Sequence, residues 1–250
     1  MTLFGSLPVN ADHSFKLLSL YFMHKLFITG TDTDAGKTFV ATTLLYKAQT
    51  LGLSAFGLKP IAAGCHWSTE HSSAGEWHND DALLLQAASS IKKSYSIHNP
   101  IAFPQAIAPH IAAELNQTPL TLTALLERCQ PGLDQYADVH LIEGAGGWLV
   151  PINKENTLAD IAQQLNHDIV LVVGMKLGCI NHALLTQQLL LASDLNFVGW
   201  VANHIDADMS EQDANFDYLK QHIQAPCLGR IPFSPKTHPK DLIEHINLPT

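Results

Sequence analysis

A short apolar run, a glycine-rich loop and a helical pattern follow one another near the start of this chain. Lys25–Thr29 (KLFIT) is typical of a buried strand, Gly30–Thr38 (GTDTDAGKT) comes directly after it, and Lys37–Thr50 has good helix formers with apolar spacing. A glycine-rich loop in this context presents free backbone amides at a helix start, where the helix dipole also attracts an anion. The order therefore predicts a phosphate-binding loop.

The side chains at the end of this loop suit a nucleotide. Lys37 can reach the β- and γ-phosphates, and the Thr38 hydroxyl can ligate Mg²⁺. The spacing departs from the usual one, because five residues separate Gly30 from Gly36, whereas the common loop has four. The alternative interpretation is a tight strand-to-helix turn that carries Gly-Lys-Thr by chance.

Two carboxylates inside the loop need an explanation. Asp32 and Asp34 would repel phosphate unless they face a metal or a cationic substrate. An ammonium substrate beside the nucleotide would account for one of them.

Short apolar runs alternate with helical patterns along the rest of the chain. Further strands are predicted at Ser54–Leu58, Val139–Ile142, Ile169–Val173 and Phe197–Ala202. Further helices are predicted at Asp81–Ala88, Thr121–Cys129, Leu158–Leu165, Asn181–Ser193 and Glu211–Ile223. This alternation predicts a single-domain α/β fold of the P-loop NTPase type, with a mostly parallel central sheet and helices on both faces.

Composition excludes several classes of function. The net charge is −9 and only Arg128 and Arg230 supply guanidinium groups, so a wide basic face for nucleic acid is not expected. No apolar stretch approaches the roughly 20 residues that cross a bilayer, so no membrane partner is expected. The four cysteines form no Cys-x-x-Cys pair, which is typical of a cytoplasmic protein with reduced thiols.

The first 22 residues differ from the rest. They end in the apolar run Leu17–Phe22, but Lys16 is the only lysine or arginine before it and Met23 follows, which is a poor match to a signal peptide. Met23 could itself be the natural start. We therefore interpret residues 1–22 as a poorly ordered or non-native extension, and 23–250 as one ATP-binding catalytic domain.

Three further positions carry charge where strands or loops end. Lys59 ends the second strand, the side where open α/β sheets bind ligands, although a strand-end lysine is often merely solvated. Glu143–Gly147 (EGAGG) follows the strand at Val139–Ile142 and can hold a metal beside a nucleotide, or form a flexible turn. Asp81 lies at a helix start, where capping or a favourable contact with the helix dipole explains it almost as well as metal binding.

Together these segments resemble the dethiobiotin synthetases, ATP-dependent cyclo-ligases of biotin synthesis. The resemblance is carried by GTDTDAGKT at 30–38, GLKPIAAG at 57–64, NDDALLL at 79–85, IEGAGGW at 142–148, VVGMKLGCINHA at 172–183 and GWVANH at 199–204. It runs from about Lys25 to Pro232, and the five-residue loop interior is itself a feature of that family.

The resemblance implies a reaction. An amine of 7,8-diaminononanoate takes up CO₂, supplied by bicarbonate, to give a carbamate. The carbamate attacks the γ-phosphate of ATP and forms a carbamic-phosphoric anhydride. The second amine closes the ureido ring, and dethiobiotin, ADP and phosphate leave.

The resemblance also implies roles for residues. Lys59 and Lys37 would be catalytic, Thr38, Asp81 and Glu143 would hold Mg²⁺, and the substrate would contact Thr33, Asp34, Lys59 and Ala63. ATP would contact Asp34, Ala35, Gly36, Lys37, Thr38, Phe39, Asp81, Glu143, Gly144, Ala145, Gly146, Asn203, His204, Pro232, Phe233 and Ser234. Asn203 would read the adenine edge, since an amide offers both a donor and an acceptor.

Further implications concern assembly and specificity. The segment Lys176–Asn181 resembles a stretch that meets the partner subunit of a homodimer and helps to bind the substrate carboxylate. Two positions depart from the family pattern. Many members have a hydroxyl residue in place of Ala63, and a glutamate in place of Asp34. Both departures predict an altered substrate contact rather than a lost reaction.

Two other functions are compatible with a P-loop fold. A nucleotide-switch protein that binds a partner according to its ATP state usually has an extra lysine early in the loop, and Thr31–Ala35 contains none. An amidotransferase-type synthase needs an added glutaminase domain, for which 250 residues are too few.

Overall fold

Six parallel strands build the central sheet of the structure, a computed structural model that describes residues 23–69 and 74–250. In chain order the strands and helices are β1 His24–Gly30, α1 Lys37–Thr50, β2 Ala55–Leu58, β3 Ile61–Ala63, β4 His66–Ser68, β5 Glu76–His78, α2 Asp80–Ala88, α3 Tyr95–His98, β6 Ile101–Phe103, α4 Pro109–Leu115, α5 Leu122–Leu133, β7 Val139–Gly147, α6 Leu158–Leu165, β8 Asp168–Met175, α7 Cys179–Leu191, β9 Phe197–His204, α8 Gln212–His222 and β10 Cys227–Ile231. A 3₁₀ helix, Pro239–His245, follows.

The order of the strands determines where a ligand can bind. Across the sheet the strands run β2, β7, β1, β8, β9 and β10, and every pairing is parallel. After β1 the chain passes to one side of the sheet, and later it passes to the other side through β8. In open parallel sheets ligands bind outside the carboxyl ends of the strands at such a reversal. The carboxyl end of β1 is therefore the expected centre of the site.

Helices cover both faces of this sheet, because alternate residues of each strand point to opposite sides. In β1, Leu26 and Ile28 face one core layer with α1 and α2, whereas Phe27 faces the other layer with α5, α6, α7 and α8. Trp200 of β9 is fully buried in the second layer. The predicted α/β fold with helices on both faces is confirmed.

The predicted elements are all present, with several differences at their ends. The helix predicted at Asn181 begins at Cys179, because Gly178 takes a left-handed backbone angle (φ 92°) and forms the N-cap. The strand predicted at Val139–Ile142 continues to Gly147. Among the described residues the sequence reasoning missed the short strands β3 to β6, β10, the helices α3 and α4, and the 3₁₀ helix, which are too brief or too exposed to show a clear period.

The segment rich in His and Trp forms a two-stranded antiparallel ribbon from β4 and β5. Trp67 lies opposite Trp77, and His66 lies opposite His78, whose ring packs on Tyr95. The predicted extension, residues 1–22, lies outside the described residues. In the part of the chain that the structure describes, no helix has the length and apolar character to span a bilayer.

Three buried histidines lie in a row beside Phe56 in the core. His98 stacks on Phe56 at 4.5 Å, His140 lies 5.4 Å from the same ring, and His167 lies 6.1 Å from His140. Burial lowers the pKa of all three, and that of His167 falls to about 4. These rings are therefore neutral in the folded protein at neutral pH.

This burial predicts an acid-sensitive fold. A histidine whose folded pKa lies below its unfolded value binds more protons when unfolded, so its contribution to stability is lost as pH falls below about 6.5. With a folded pKa of about 4, His167 alone costs on the order of 2 kcal/mol by pH 5. The melting temperature should fall between pH 7 and pH 5, and less in His167→Asn, which keeps a donor near the Leu165 carbonyl.

His245, an exposed histidine of the 3₁₀ helix, supplies the control. His245→Asn should show the same acid loss as the wild type. Equal acid sensitivity in His167→Asn and the wild type would contradict the expectation.

Candidate active site

The phosphate loop is pinned to the neighbouring strands of β1. The Thr31 amide donates to the Val172 carbonyl of β8 at 3.0 Å, which extends the parallel ladder past the end of β1. A Cβ atom at Gly174 would lie 3.0 Å from the Ala35 Cα, so the loop passes close over β8. The Asn203 side chain, at the end of β9, donates to the Ala35 carbonyl at 2.9 Å. Both β8 and β9 thus fix the shape of the loop.

Gly36 is required where the loop enters α1. Its φ is 81°, in the left-handed region, and it forms the N-cap of the helix. A Cβ atom here would lie 2.0 Å from the Asn203 Nδ2 atom. The glycine therefore permits both the turn and the contact with Asn203.

A buried ion cluster lies beside the loop, at the carboxyl ends of β2 and β7. The Lys59 Nζ atom lies 2.7 Å from Glu143 Oε1 and 3.1 Å from Asp81 Oδ2. The Thr38 hydroxyl donates to the same Glu143 oxygen at 2.8 Å. Lys59 is 4% exposed and Glu143 is 1% exposed. The alternative interpretation of Lys59 as a solvated lysine at a strand end is therefore wrong.

Sheet register explains this meeting. Leu58 of β2 pairs with Ile142 of β7, so the next residues, Lys59 and Glu143, emerge side by side. Asp81 reaches them from the first turn of α2, whose N-cap is Asn79: the Ala82 amide donates to the Asn79 side chain at 3.3 Å. Capping of the helix by Asp81 is therefore wrong, whereas the alternative of a favourable contact with the helix dipole stays open, because Asp81 lies in the first turn.

The charges of the cluster are mutually stabilised. Burial acts to lower the pKa of Lys59, but the Glu143 and Asp81 carboxylates outweigh it and raise that pKa above its usual value. Burial acts to raise the pKa of Asp81, but Lys59, with help from Thr38 and Lys37, holds it below its usual value. Lys59 is therefore protonated and Asp81 ionised at neutral pH.

Lys37 has a different setting. Burial lowers its pKa, and the carboxylates of Glu143 and Asp81 offset this only in part. Its Nζ atom donates to the Asp32 carbonyl at 3.2 Å, across the loop. A buried ammonium held by a backbone carbonyl has unused donors, which suits an incoming phosphate.

The two loop carboxylates have different surroundings. Asp32 Oδ2 lies 2.9 Å from the Lys176 Nζ atom. Asp34 is exposed, with a left-handed φ of 61°. An ammonium of this chain therefore accounts for Asp32, whereas the described residues offer no lysine or arginine within 4 Å of Asp34.

The remaining residues that the sequence singled out lie around this centre at different depths. Thr33 is exposed on the loop, and the Oγ1 atom of Thr33 lies 3.5 Å from where a Gly146 Cβ would be. Ala63, at the end of β3, accepts a hydrogen bond at 3.3 Å from the side chain of the residue that caps α2. Phe39 is half-buried on α1 and packs against the layer that contains Leu26.

Two further segments that the resemblance assigned to ATP are the residues after Glu143 and the loop after β10. Gly144, Ala145 and Gly146 continue β7 past Glu143. Pro232, Phe233 and Ser234 follow the end of β10, and Phe233 is 43% exposed. These segments lie at the same edge of the sheet because all its strands are parallel.

His204 points away from Asn203. Successive side chains of a strand alternate, so Asn203 faces the loop while His204 faces the opposite layer. There its Nε2 atom accepts from Arg230 Nε at 2.9 Å. The structure therefore does not bring the His204 ring to the loop, although its backbone follows Asn203 directly.

The donor set around Glu143 fits a hard cation. The Glu143 Oε2 atom is buried without a hydrogen-bond partner, and Thr38 and Asp81 add further oxygens beside it. In the described ranges, no group of three or more His, Cys, Asp or Glu side chains could hold a metal alone. Mg²⁺ commonly takes only one or two protein carboxylates and completes its shell with phosphate and water.

A cavity lies away from this centre. Its volume is about 650 Å³, and it is lined by the end of α4 and the turn 152–156. The residues that line it include none of those that the sequence singled out, so its size carries no weight in locating the site.

Comparison with known proteins agrees with this geometry. The family model described as "AAA domain" matches residues 24–241. The ATP-dependent dethiobiotin synthetase BioD of Cellvibrio japonicus is 54% identical over 206 residues, which cover 82% of this chain and 88% of that protein. The chain belongs to the dethiobiotin synthetase family. The resemblance found in the sequence is thereby confirmed, and the nucleotide-switch alternative is not favoured.

Two further relatives carry the same name. The proteins of the same name from Xanthomonas campestris and Pseudomonas aeruginosa are each 42% identical, over 89% and 90% of this chain and 97% of their own lengths. Among solved structures, a ParA family ATPase from Chlorobium tepidum is 12% identical with a TM-score of 0.49, and the match covers 90% of this chain and 99% of that one.

The Gly36 contact predicts a selective loss of nucleotide binding. Gly36→Ala would push a methyl group into Asn203, so ATP affinity should fall about tenfold or more, which is a loss near 1.4 kcal/mol. Titration with ATP measures this. Gly52→Ala is the matched control, because Gly52 has φ 77° and nothing within 4 Å of its would-be Cβ.

Both variants carry the same left-handed strain, about 1–2 kcal/mol, and Gly36→Ala loses further stability through the clash with Asn203. Only Gly36→Ala should lose ATP binding. Equal ATP affinities in the two variants would show that the loop does not depend on this glycine.

Proposed function

We propose that this protein carboxylates 7,8-diaminononanoate with CO₂ and closes the ureido ring of dethiobiotin at the expense of ATP. The observation that carries the proposal is the buried Lys59, whose side-chain nitrogen contacts Glu143 and Asp81 beside a phosphate loop. Two anions have to meet in this reaction, the carbamate and the γ-phosphate. A buried ammonium next to the phosphate lysine offsets the repulsion between them.

The roles of the two lysines follow from their contacts. Lys37 exchanges the Asp32 carbonyl for phosphate oxygens when ATP binds. Lys59 stabilises the carbamate and the transferring phosphoryl group, where negative charge develops. Because Lys59 is held by two carboxylates, it is oriented before the substrate arrives and loses little side-chain freedom at the reacting centre.

Thr38, Asp81 and Glu143 are the proposed Mg²⁺ ligands. The fit rests on the unpaired Glu143 Oε2 atom and on the oxygens beside it. When bound, the ion neutralises charge on the phosphates of ATP. Lys59 and Thr38 would give up part of their hydrogen bonding to Glu143 as the ion enters.

The remaining residues are assigned either to the diamine or to the adenine of ATP. Asp34 and Thr33 face the diamine, since the first is an exposed carboxylate and the second an exposed hydroxyl on the loop. Ala63 contributes an apolar wall where many relatives place a hydroxyl. Asn203 reads the adenine, with the backbone of His204 and the loop 232–234 beside the base.

Assembly and location complete the proposal. The protein is a cytoplasmic homodimer in which Lys176–Asn181 meets the partner subunit. The partner contact is supported by exposed leucines of that region: Leu177, in the turn before α7, is 92% exposed, and Leu185, on α7, is 60% exposed. Apolar side chains so exposed favour a protein contact.

The direct test is an ADP-release assay. ATP turnover should require both 7,8-diaminononanoate and bicarbonate, and dethiobiotin should accumulate in equal amount with ADP. Removal of Mg²⁺ with a chelator should stop the reaction, and added Mg²⁺ should restore it. ADP release that ignores the diamine would refute the proposed reaction.

Lys59→Gln separates catalysis from binding. Gln keeps some hydrogen bonding to Glu143 but removes the charge, so kcat should fall about a hundredfold or more, roughly 3 kcal/mol, while the Kd of an ATP analogue changes less. Lys93→Gln, at an exposed lysine after α2, should leave both unchanged. A kcat for Lys59→Gln within about threefold of the wild type, or roughly 0.6 kcal/mol, would rule out the catalytic role.

A further inference from the structure

Asp32 lies at the junction of three contacts that no feature of the proposed reaction requires. Its Oδ2 atom accepts from the Lys176 ammonium at 2.9 Å, and its Oδ1 atom accepts from the Thr33 amide at 2.8 Å. Its carbonyl accepts from the Lys37 ammonium at 3.2 Å. One residue thus links the phosphate lysine, the loop backbone and the segment after β8.

The fold brings Lys176 to this point from far along the chain. Lys176 follows the last residue of β8, the sheet neighbour of β1, and the Thr31 amide already bonds to β8. The hydrogen bond from Lys176 is the largest influence on the Asp32 carboxyl, and it holds the pKa of that carboxyl below its usual value. Asp32 is therefore ionised at neutral pH.

An ionised carboxylate in the phosphate loop opposes nucleotide binding unless it is neutralised. The Asp32 side chain is 44% exposed, so solvent weakens but does not remove the repulsion between an uncompensated Asp32 and a triphosphate bound at this loop. Its side chain also anchors the Thr33 amide, so the loop depends on the oxygen atoms of Asp32 but not on its charge.

We propose that Lys176 is a positioning residue for ATP. Its ammonium neutralises the Asp32 carboxylate, so the loop keeps the hydrogen bonds that Asp32 accepts from the Thr33 amide and the Lys37 ammonium without repelling the triphosphate. Lys176 acts through Asp32 and does not bind phosphate itself. The proposal rests on the proposed function only in taking ATP as the ligand.

Two other roles for Lys176 make different predictions. If the ammonium bound the triphosphate directly, removing Asp32 as well would not restore binding. If the pair were only a structural brace, either single change would weaken the loop, and removing both charges would not help.

The experiment is a double-mutant cycle on ATP binding. Lys176→Met, Asp32→Asn, the double variant and Lys176→Arg are titrated with a non-hydrolysable ATP analogue and Mg²⁺. Asn keeps an oxygen for the Thr33 amide. Lys176→Met should raise the Kd about tenfold or more, whereas the double variant should return to within about threefold of the wild type.

The other variants sharpen the result. Asp32→Asn alone should bind the analogue as tightly as the wild type or more tightly, and Lys176→Arg should keep the affinity. Lys154→Met removes an exposed lysine elsewhere and controls for net charge. Steady-state kinetics at saturating diamine should show the larger part of the loss in Lys176→Met as a raised KM for ATP, since the pair acts on ATP binding.

Several outcomes would overturn the proposal. They are an unchanged Kd in Lys176→Met, a double variant as weak as Lys176→Met, weakened binding in Asp32→Asn, and an equal loss in Lys154→Met. If Lys176→Met fails to fold, Lys176→Gln takes its place in the cycle, because glutamine removes the same charge and keeps a polar side chain. Failure of the proposed function is seen separately, as a wild type that binds ATP but forms no dethiobiotin.

Discussion

The buried Lys59 between Glu143 and Asp81 is the interaction on which the site depends. Neither Lys59 nor Glu143 could be buried alone at an acceptable cost, because moving one charge out of water costs several kcal/mol. The Lys59 ammonium donates to Glu143 at 2.7 Å and to Asp81 at 3.1 Å. The carboxyl end of the sheet therefore holds a charged cluster in which Lys59 and Glu143 are buried and the Asp81 side chain is 45% exposed.

Parallel pairing makes that arrangement possible. Because β2 and β7 run in the same direction with Leu58 beside Ile142, their ends emerge together and on the same side. β1 pairs with β7 on its other edge, with Ile28 beside Glu143, so the phosphate loop rises next to the same carboxylate. The site thus consists of the ends of adjacent strands, and a change in strand order would separate its charges.

How much the sequence can predict follows from this geometry. Lys37, Lys59 and Glu143 could be located because each ends a recognisable strand or begins a helix, and parallel strand ends share one edge. The contact between Asp32 and Lys176 could not be predicted from the sequence, because the sequence does not show that β8 is the sheet neighbour of β1. Nor could the His204 ring be placed, since the face of a strand-end residue depends on where β9 ends.

The two carboxylates of the phosphate loop show how one short segment can serve two ligands of opposite charge. Asp32 is neutralised by Lys176 and contributes shape, through the Thr33 amide and the Lys37 ammonium. Asp34 has a left-handed backbone that turns it to solvent, and no lysine or arginine partner within 4 Å is found for it among the described residues. An anion at this loop would therefore meet backbone amides and lysines, and Asp34 is the loop carboxylate for which the described residues offer no lysine or arginine partner. A single residue separates the two carboxylates, so one short loop carries both a carboxylate that shapes it and an exposed carboxylate that, in the proposed reaction, faces the ammonium substrate.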